Sequence, residues 1–283
     1  MGALQHDAQT VVAYNISAVS ALILFALRIL KCNVVQCLHE PGMTNKRNYG
    51  RLNALKIHLV ERLVWISQVF SHRIVVFSDQ AAGIAHSITK KPVTKLALIP
   101  YSKVDVANFG TERDLDLVFV GRIHPAKNFD LFLKLASEKS LSTAIVTSST
   151  QQVANVDPGL LKDSLIIAKK MITDNEIENI LRRAKVIFKL DKNMMQSGLV
   201  IQARYHGCMS LVNAIRGFKQ DQAFGDLIEV SNPESLPDVY ETLRSSLIGF
   251  HARSEKNSFE RANAWHLENQ KAWEAFFIEL QAA

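Results

Sequence analysis

Short apolar runs alternate along the chain with longer stretches in which apolar residues recur every three or four positions. Such runs, rich in Val and Ile, are typical of strands buried on both faces, and the periodic stretches are typical of helices. The predicted strands are Val11–Tyr14, Asn33–Leu38, Arg73–Ser78, Lys95–Pro100, Leu117–Val120, Thr143–Thr147, Ser164–Ala168, Lys185–Leu190, Ser210–Val212 and Asp226–Val230. The predicted helices are Ser17–Leu30, Tyr49–Phe70, Gln80–Ile88, Phe129–Glu138, Glu176–Ala184 (capped by Asp174), Gly198–His206, Pro237–Ile248 and Phe259–Leu280. This alternation predicts parallel βαβ units and an α/β fold.

The alternation is interrupted once, at residues 101–113, where several polar residues occur without periodicity. We interpret this stretch as a linker. The sequence therefore predicts two Rossmann-like domains whose parallel sheets face each other across a cleft. The predicted limits are residues 1–105 for the N-terminal domain and 106–255 for the C-terminal domain. Residues 256–283 are predicted to form a C-terminal helix that could pack back on the N-terminal domain.

The stretch Asp116–Asn128, DLVFVGRIHPAKN, combines an apolar strand with two cations. Gly121 ends the strand, Arg122 and Lys127 follow in the loop, and Asn128 is predicted to cap the next helix. In an open α/β sheet this order places both cations at the carboxyl end of a strand, beside a helix N-terminus. The stretch predicts a binding site for a di-anion. The alternative is an ordinary strand–helix turn with two solvated cations.

Composition narrows the function classes only slightly. The chain has 283 residues, 48% of them hydrophobic, and a formal net charge of +6. This mild excess fits an anionic substrate, a nucleic acid or an anionic membrane surface. Aromatic residues are not interleaved with the cations, so we expect no nucleic-acid binding. The basic residues at 46–51 could contact lipid headgroups or form a solvated helix face.

The three cysteines show neither zinc-site spacing nor an even disulfide set, which favours a reducing compartment. No signal peptide is recognisable. The stretch Thr10–Leu27 carries no charge and approaches the roughly 18–20 residues that span a bilayer. Because Asn15 and Ser17 interrupt it, we interpret it as a strand followed by a helix. We therefore predict a cytoplasmic protein and leave open a peripheral contact at the inner membrane face.

Seven segments, in the same order, resemble the retaining group 1 glycosyltransferases, which use nucleotide-sugar donors. The closest is FVGRIHPAKN, which resembles the family's GR-x4-K signature. The others are TVVAYN, VVQCLHEPG, IVVFSDQ, LALIPYSKVD, DNEIENILRRAKVIFKL and SGLVIQARYHGCMSLVNA. The resemblance covers most of the chain and implies the GT-B architecture. In that architecture the N-terminal domain binds the acceptor and the C-terminal domain binds the donor.

The resemblance also implies roles for residues on two segments. Arg122 and Lys127 would hold the donor's diphosphate and stabilise it as the leaving group, and Gly121 beside them would be a substrate-binding residue. His39, at the end of the second predicted strand, would contact the transferred sugar. Glu40 would be an accompanying polar contact.

The donor-site segment implies three further binding residues and shows a departure from the family. Ser197 and Gly198 would offer backbone groups at a helix start, and Gln202 would line the donor pocket. Gln202 occupies the position of the family's ribose-contacting Glu, and the second Glu falls near Met194–Gln196. A Gln amide can hydrogen-bond ribose hydroxyls without charge-assisted strength. The family's N-terminal Gly-rich loop also lacks a counterpart, so we expect a shortened N-terminal domain or a fragment.

The same segments lead to an expectation about metals and to two function hypotheses. Asp114 and Asp116 form a D-x-D pair, which holds a metal in another glycosyltransferase fold, but they precede the strand and lie at its wrong end. We expect no metal and no cofactor, because the nucleotide-diphosphate sugar is a donor substrate.

The first hypothesis is a hexosyltransferase of polysaccharide biosynthesis that acts with retention on a glycan or lipid-linked acceptor. The alternative is a non-catalytic GT-B-like scaffold or glycan-binding partner of another glycosyltransferase.

Overall fold

A computed structural model describes residues 10–14, 18–38, 55, 58, 59, 62, 66, 68–99, 103–110, 112–138, 141–161, 164–192, 197–213, 226–251 and 255–282. The chain divides into two compact units. Unit 1 contains Met1–Leu98 and Asn269–Ala283, and unit 2 contains Ile99–Glu268. These limits differ from the sequence-based ones at residues 105 and 255, since one division falls between Leu98 and Ile99, just before the predicted linker, and the other falls inside the last helix.

Unit 1 is built on a four-stranded parallel sheet in the order β1-β2-β3-β4. Its strands are β1 (Thr10–Tyr14), β2 (Asn33–Leu38), β3 (Arg73–Val76) and β4 (Val93–Lys95). Helix α1 (Ala18–Ile29) follows β1, and helix α2 (Asp79–Ile88) follows β3. Residues 55, 58, 59, 62 and 66 are also helical, and Gln68–Phe70 form a 3-10 turn. The two central strands are almost completely buried, as expected for strands covered on both faces.

The position of β4 corrects one predicted strand. The strand pairs over Val93–Lys95, whereas the apolar run had suggested Lys95–Pro100. After Leu96 donates to the carbonyl of Val76 (3.0 Å), the chain leaves the ladder. The carbonyl oxygen of Ala97 instead accepts from the indole Nε1 of Trp273 at 2.8 Å. A side-chain donor from the last helix thus replaces a backbone partner, which the apolar pattern does not reveal.

Unit 2 is built on a six-stranded parallel sheet in the order β10-β9-β8-β5-β6-β7. Its strands are β5 (Leu115–Val120), β6 (Thr143–Thr147), β7 (Ser164–Ala168), β8 (Ala184–Lys189), β9 (Met209–Asn213) and β10 (Leu227–Val230). Its helices are α3 (Phe129–Ala136), α4 (Thr150–Ala154), α5 (Asp174–Arg183), α6 (Gly198–Tyr205), α7 (Leu236–His251) and the first part of α8 (Glu255–Ala282). The α/β class and the two parallel sheets are therefore confirmed.

Two details of unit 2 were not predicted. The short helix α4 carries too few apolar positions to show a period. The cap of α5 is Thr173 rather than Asp174, because the Thr173 hydroxyl accepts from the amide of Glu176 and the Glu176 carboxylate accepts from the amide of Thr173. This capping box satisfies two backbone donors at once.

The six-stranded sheet has a core on each face. One face packs an aromatic cluster in which Phe119 and Phe188 of the sheet meet Phe129 and Phe132 of α3. The core on the other face is built from smaller side chains, including Val118, Ile187, Val200, Ala203 and Val212. The alternation of these two sets along β5 and β8 follows from the two-residue period of a strand. Helix α6 therefore packs on the second face.

A buried cation ties together the edge of the sheet where the strands begin. Arg113 is 7% exposed and donates to the carbonyl oxygens of Leu181 (3.0 Å), Ala184 (2.7 Å), Asn108 (3.2 Å) and His206 (2.5 Å). Leu181 lies in the last turn of α5 and His206 follows α6, so the guanidinium binds where both helix dipoles are negative. Nothing in the sequence pattern indicated this role.

Glycine is required beside this cation. Gly207 has φ 68°, and an added Cβ would lie 2.8 Å from Nη2 of Arg113 and 2.9 Å from the ring of Phe109. Both the left-handed backbone and the lack of space therefore exclude a larger residue.

A second buried cation links α6 to the start of β10. The guanidinium of Arg204 donates to both carboxylate oxygens of Asp226, at 2.6 and 3.3 Å, and lies 5.2 Å from the ring centre of Trp265. Trp265 belongs to unit 2, whereas Trp273, two turns later on the same helix, belongs to unit 1. In unit 1, Trp273 stacks on Phe277 with ring centres 5.7 Å apart.

No helix within the described ranges is both long and apolar enough to cross a bilayer.

Candidate functional site

The β5–α3 turn begins at a glycine that the geometry requires. Gly121 has φ 127°, a conformation that side chains rarely allow, and its amide donates to the carbonyl of Val146 at 2.9 Å. A Cβ at this position would lie 2.9 Å from Nζ of Lys127. The turn therefore folds Lys127 back so that its ammonium lies over the end of the strand.

The rest of the turn is fixed to the carboxyl end of β8. Asn128 adopts the left-handed conformation, with φ 50°, and its side-chain amide donates to the carbonyl of Leu190 at 2.6 Å. The amide of Lys192 donates to the carbonyl of Ala126 at 2.8 Å. Asn128 occupies the predicted N-cap position of α3, but its side chain makes no capping hydrogen bond and joins two loops instead.

The two predicted cations differ in environment. The side chain of Arg122 is exposed, and no hydrogen bond or ion pair is seen for it among the described residues. Lys127 is half-buried, and burial lowers the pKa of its ammonium below the usual value. The neighbouring charge of Lys189 lowers this pKa further, as does Arg122 more weakly, while Asp191 opposes them. A site with such an excess of positive charge favours a bound anion.

Lys189 and Asp191 form a buried ion pair at the end of β8. Their charged atoms are 2.7 Å apart, and their side chains are 4% and 8% exposed. Asn213, at the end of β9, donates from its side-chain amide to the backbone carbonyl of Asp191 at 2.6 Å. Sequence reasoning missed this pair. The available signal was a lysine between Phe188 and Leu190 in an otherwise apolar strand.

The donor-site segment lies on the same edge of the sheet. Ser197 is buried and extended, and its carbonyl accepts from the amide of Val200 at 3.1 Å as α6 begins. Its hydroxyl makes no capping hydrogen bond. Gly198 and Gln202 are half-buried, and their spacing of four places them on one side of α6. The structure thus locates Arg122, Lys127, Ser197 and Gly198 after the carboxyl ends of the two adjacent strands β5 and β8.

His39 and Glu40 lie outside the described residues. They directly follow β2, which ends at Leu38 in unit 1. Their roles in sugar contact remain predictions.

The D-x-D pair has structural partners at the opposite edge of the sheet. Asp114 accepts two hydrogen bonds from Arg183, at 2.9 and 2.5 Å, which keep the pKa of that carboxyl below its usual value. Asp116 pairs with Lys185 at 2.8 Å and accepts from the amide of Ser142 at 2.9 Å. Within the described parts of the chain, no three His, Cys, Asp or Glu side chains form a group that could hold a metal ion.

A groove of about 600 Å³ flanks the turn on the side of α3. Arg122 and Lys127 do not line it. Its wall carries charges of both signs, and the residues include Ile123, His124, Phe129, Lys134, Lys192 and Glu234.

Comparison with known proteins identifies the fold. No family model matches the sequence. No curated protein matches it either. Solved structures match over nearly the whole chain. Sucrose-phosphate synthase from Thermosynechococcus elongatus superposes with a TM-score of 0.72 at 12% identity, covering 97% of this chain and 74% of that one. TarM superposes with a TM-score of 0.69 at 13% identity, covering 97% and 55%. This chain has a GT-B fold.

A third GT-B neighbour was solved with ligands bound. The pneumococcal O-GlcNAc transferase GtfA, in complex with UDP and GlcNAc, superposes with a TM-score of 0.64 at 9% identity, covering 92% of this chain and 54% of its own. The chain therefore spans between about half and three-quarters of the lengths of these three structures. At these identities the likeness concerns the fold alone.

Proposed function

We propose that this chain transfers a hexose-like sugar from a nucleotide-diphosphate sugar, with retention of configuration, to a glycan or lipid-linked acceptor. The observation that carries the proposal is the concentration of cations at the carboxyl edge of the unit 2 sheet. Arg122 is exposed there without a described partner, and Lys127 is held beside it by a glycine turn. A diphosphate is an anion that suits such a place. The UDP bound by the neighbour GtfA supports the same class of donor.

The proposed chemistry depends on charge that develops during the reaction. Breaking the bond between sugar and diphosphate increases the negative charge on the leaving phosphate. Arg122 and Lys127 would stabilise that charge more strongly in the transition state than in the bound donor. The amides of Gly121 and Ile123 already donate to Val146 and to the Ser149 hydroxyl, so the side-chain cations carry this role.

The remaining residues are assigned to binding. Ser197 and Gly198 would offer backbone groups to the donor, and Gln202 would hydrogen-bond the ribose hydroxyls. His39 and Glu40 would contact the transferred sugar. No metal or further cofactor is proposed, since the nucleotide sugar is a substrate. We also propose a cytoplasmic protein of polysaccharide biosynthesis that meets the inner membrane face peripherally where its acceptor is lipid-linked.

The test begins with the unaltered chain and a panel of UDP-, GDP- and other activated sugars. A thermal shift with one nucleotide class, followed by slow hydrolysis of its sugar, would support the proposal. Calorimetry would then compare the affinity of Arg122→Ala for the matching nucleoside diphosphate. We expect a loss of about 10- to 100-fold, because a charge-assisted contact is removed. An unchanged affinity would remove Arg122 from the site.

A non-catalytic role is the second candidate, and one observation favours it. Gln202 lacks the carboxylate that the resemblance implies at the ribose contact. Such a chain would bind glycan or a partner glycosyltransferase without a donor. Failure of every nucleotide to shift the melting temperature, together with binding to an oligosaccharide, would favour this candidate over the enzyme.

A further inference from the structure

The buried pair at the end of β8 has a matched counterpart on the same strand. Lys185 pairs with Asp116 at 2.8 Å near the start of β8, and Lys189 pairs with Asp191 at 2.7 Å at its end. Both pairs join a lysine of β8 to an aspartate over nearly the same distance. They differ in what surrounds them.

At the start of the strand the charges balance locally. Asp116 faces Lys185, and the neighbouring Asp114 faces Arg183 at 2.5 Å. Lys185 and Arg183 thus each have their own carboxylate. This arrangement needs no ligand.

At the end of the strand the charges do not balance. Lys189 and, more weakly, Arg122 place positive charge near the ammonium of Lys127, and among the described residues Asp191 is the carboxylate that opposes them. Burying an ammonium has a cost that one shared carboxylate offsets incompletely. The excess is what a bound anion would neutralise.

The position of Lys189 also fits a contact with a ligand. In register it lies opposite Val212 of β9, on the sheet face where Val200 of α6 packs. Its ammonium is therefore on the side of the sheet that α6 covers. An ammonium has three N–H donors, and the bond to Asp191 uses one of them.

We propose that Lys189 is a third diphosphate-binding cation of this site and that Asp191 is the positioning residue that orients it. This inference rests on the proposed function, because it names a further residue for the same donor. The ammonium of Lys189 bonds the carboxylate of Asp191 and a phosphate oxygen at the same time. Asp191 keeps the lysine directed to the strand end when no donor is bound.

The experiment measures the binding of a nucleoside diphosphate and of the parent nucleoside to the full chain by calorimetry. Lys189→Met should lose about 10- to 100-fold in affinity for the diphosphate, and much less for the nucleoside. The matched control Lys185→Met removes a lysine from the same strand and should leave both affinities unchanged. Lys189→Gln keeps a donor for Asp191 and should show the same loss if Lys189→Met does not fold.

The outcomes separate this inference from the proposed function. If the unaltered chain binds no nucleoside diphosphate, both are overturned. If it binds and Arg122→Ala weakens that binding, while a folded Lys189 variant stays within about twofold, Lys189 is structural and this inference alone is wrong. An equal loss for diphosphate and nucleoside would also overturn it, because a general distortion of the pocket would explain such a loss.

Discussion

The two edges of the unit 2 sheet carry cations of different kinds. Where the strands begin, Arg113 is buried against four carbonyl oxygens, and Arg183 and Lys185 each face an aspartate. Where the strands end, the positive charges of Arg122 and Lys127 outnumber the carboxylates near them. The difference teaches that the number of positive residues does not indicate function. What matters is whether the fold already neutralises them.

The largest expected effect concerns Arg113, at the edge of the unit 2 sheet where the strands begin. Arg113→Met should lower the free energy of unfolding by about 3–5 kcal/mol, since several buried carbonyl oxygens lose their donor at once. Chemical denaturation would measure the loss. Nucleoside diphosphate affinity should be unchanged wherever the variant is folded.

Arg183→Met is the control at the same edge. Its ion pair with Asp114 is about half exposed, so its loss should cost less than 1 kcal/mol. If both variants were equally stable, Arg113 would not be the residue that ties this edge together.

The next effect is a dependence of stability on pH, caused by His206 at the edge where the strands begin. His206 is 1% exposed, and both ring nitrogens lack a hydrogen-bond partner among the described residues. Burial together with the charges of Arg182 and Arg113 lowers its pKa to about 4. The unfolded chain would bind a proton near pH 6.5. Stability should therefore fall as the pH drops from about 6.5 towards 4, by up to about 3 kcal/mol.

His206→Leu separates this effect from general acid unfolding. The variant should be at least as stable at pH 7, because two unpaired polar atoms leave the core. Its stability should also decline less between pH 6.5 and 4 than that of the unaltered chain. Parallel curves for the two proteins would show that His206 does not titrate in this way.

A smaller effect is expected at the edge where the strands end. Gly121→Ala introduces a Cβ 2.9 Å from the Lys127 ammonium at φ 127°, so strain of about 1–3 kcal/mol is expected. Lys127 must move, and affinity for a nucleoside diphosphate should fall about tenfold. Gly249→Ala, in α7 with no atom nearby, should instead add about 0.5–1 kcal/mol of stability and leave binding unaltered. Normal binding by Gly121→Ala would mean that the position of Lys127 is unimportant.

Most of the fold could be predicted from the sequence because its strands are local apolar runs. The predicted strands at Asn33–Leu38, Thr143–Thr147 and Ser164–Ala168 match the structure residue for residue. Errors occurred where a distant group decided the outcome. The Trp273 indole draws the Ala97 carbonyl out of the ladder, and the Leu190 carbonyl takes the side chain expected to cap α3.

The candidate site could be predicted from the sequence only in part, for a related reason. The glycine and the two cations of the β5–α3 turn are close in sequence, so spacing indicates them. Lys189 and Asp191 become relevant only because parallel pairing places the end of β8 beside the end of β5. Arg113 likewise depends on carbonyls more than 60 residues away. Such pairings depend on the topology and leave little periodic signal.

The last helix places one tryptophan in each unit, Trp265 against Arg204 and Trp273 against Ala97. With Trp65 and one of these two tryptophans replaced by phenylalanine, the fluorescence of the single remaining indole would report on its own half of the molecule. Each remaining tryptophan is thus a built-in optical label, and titrations with urea can show whether the halves lose their structure together or one after the other.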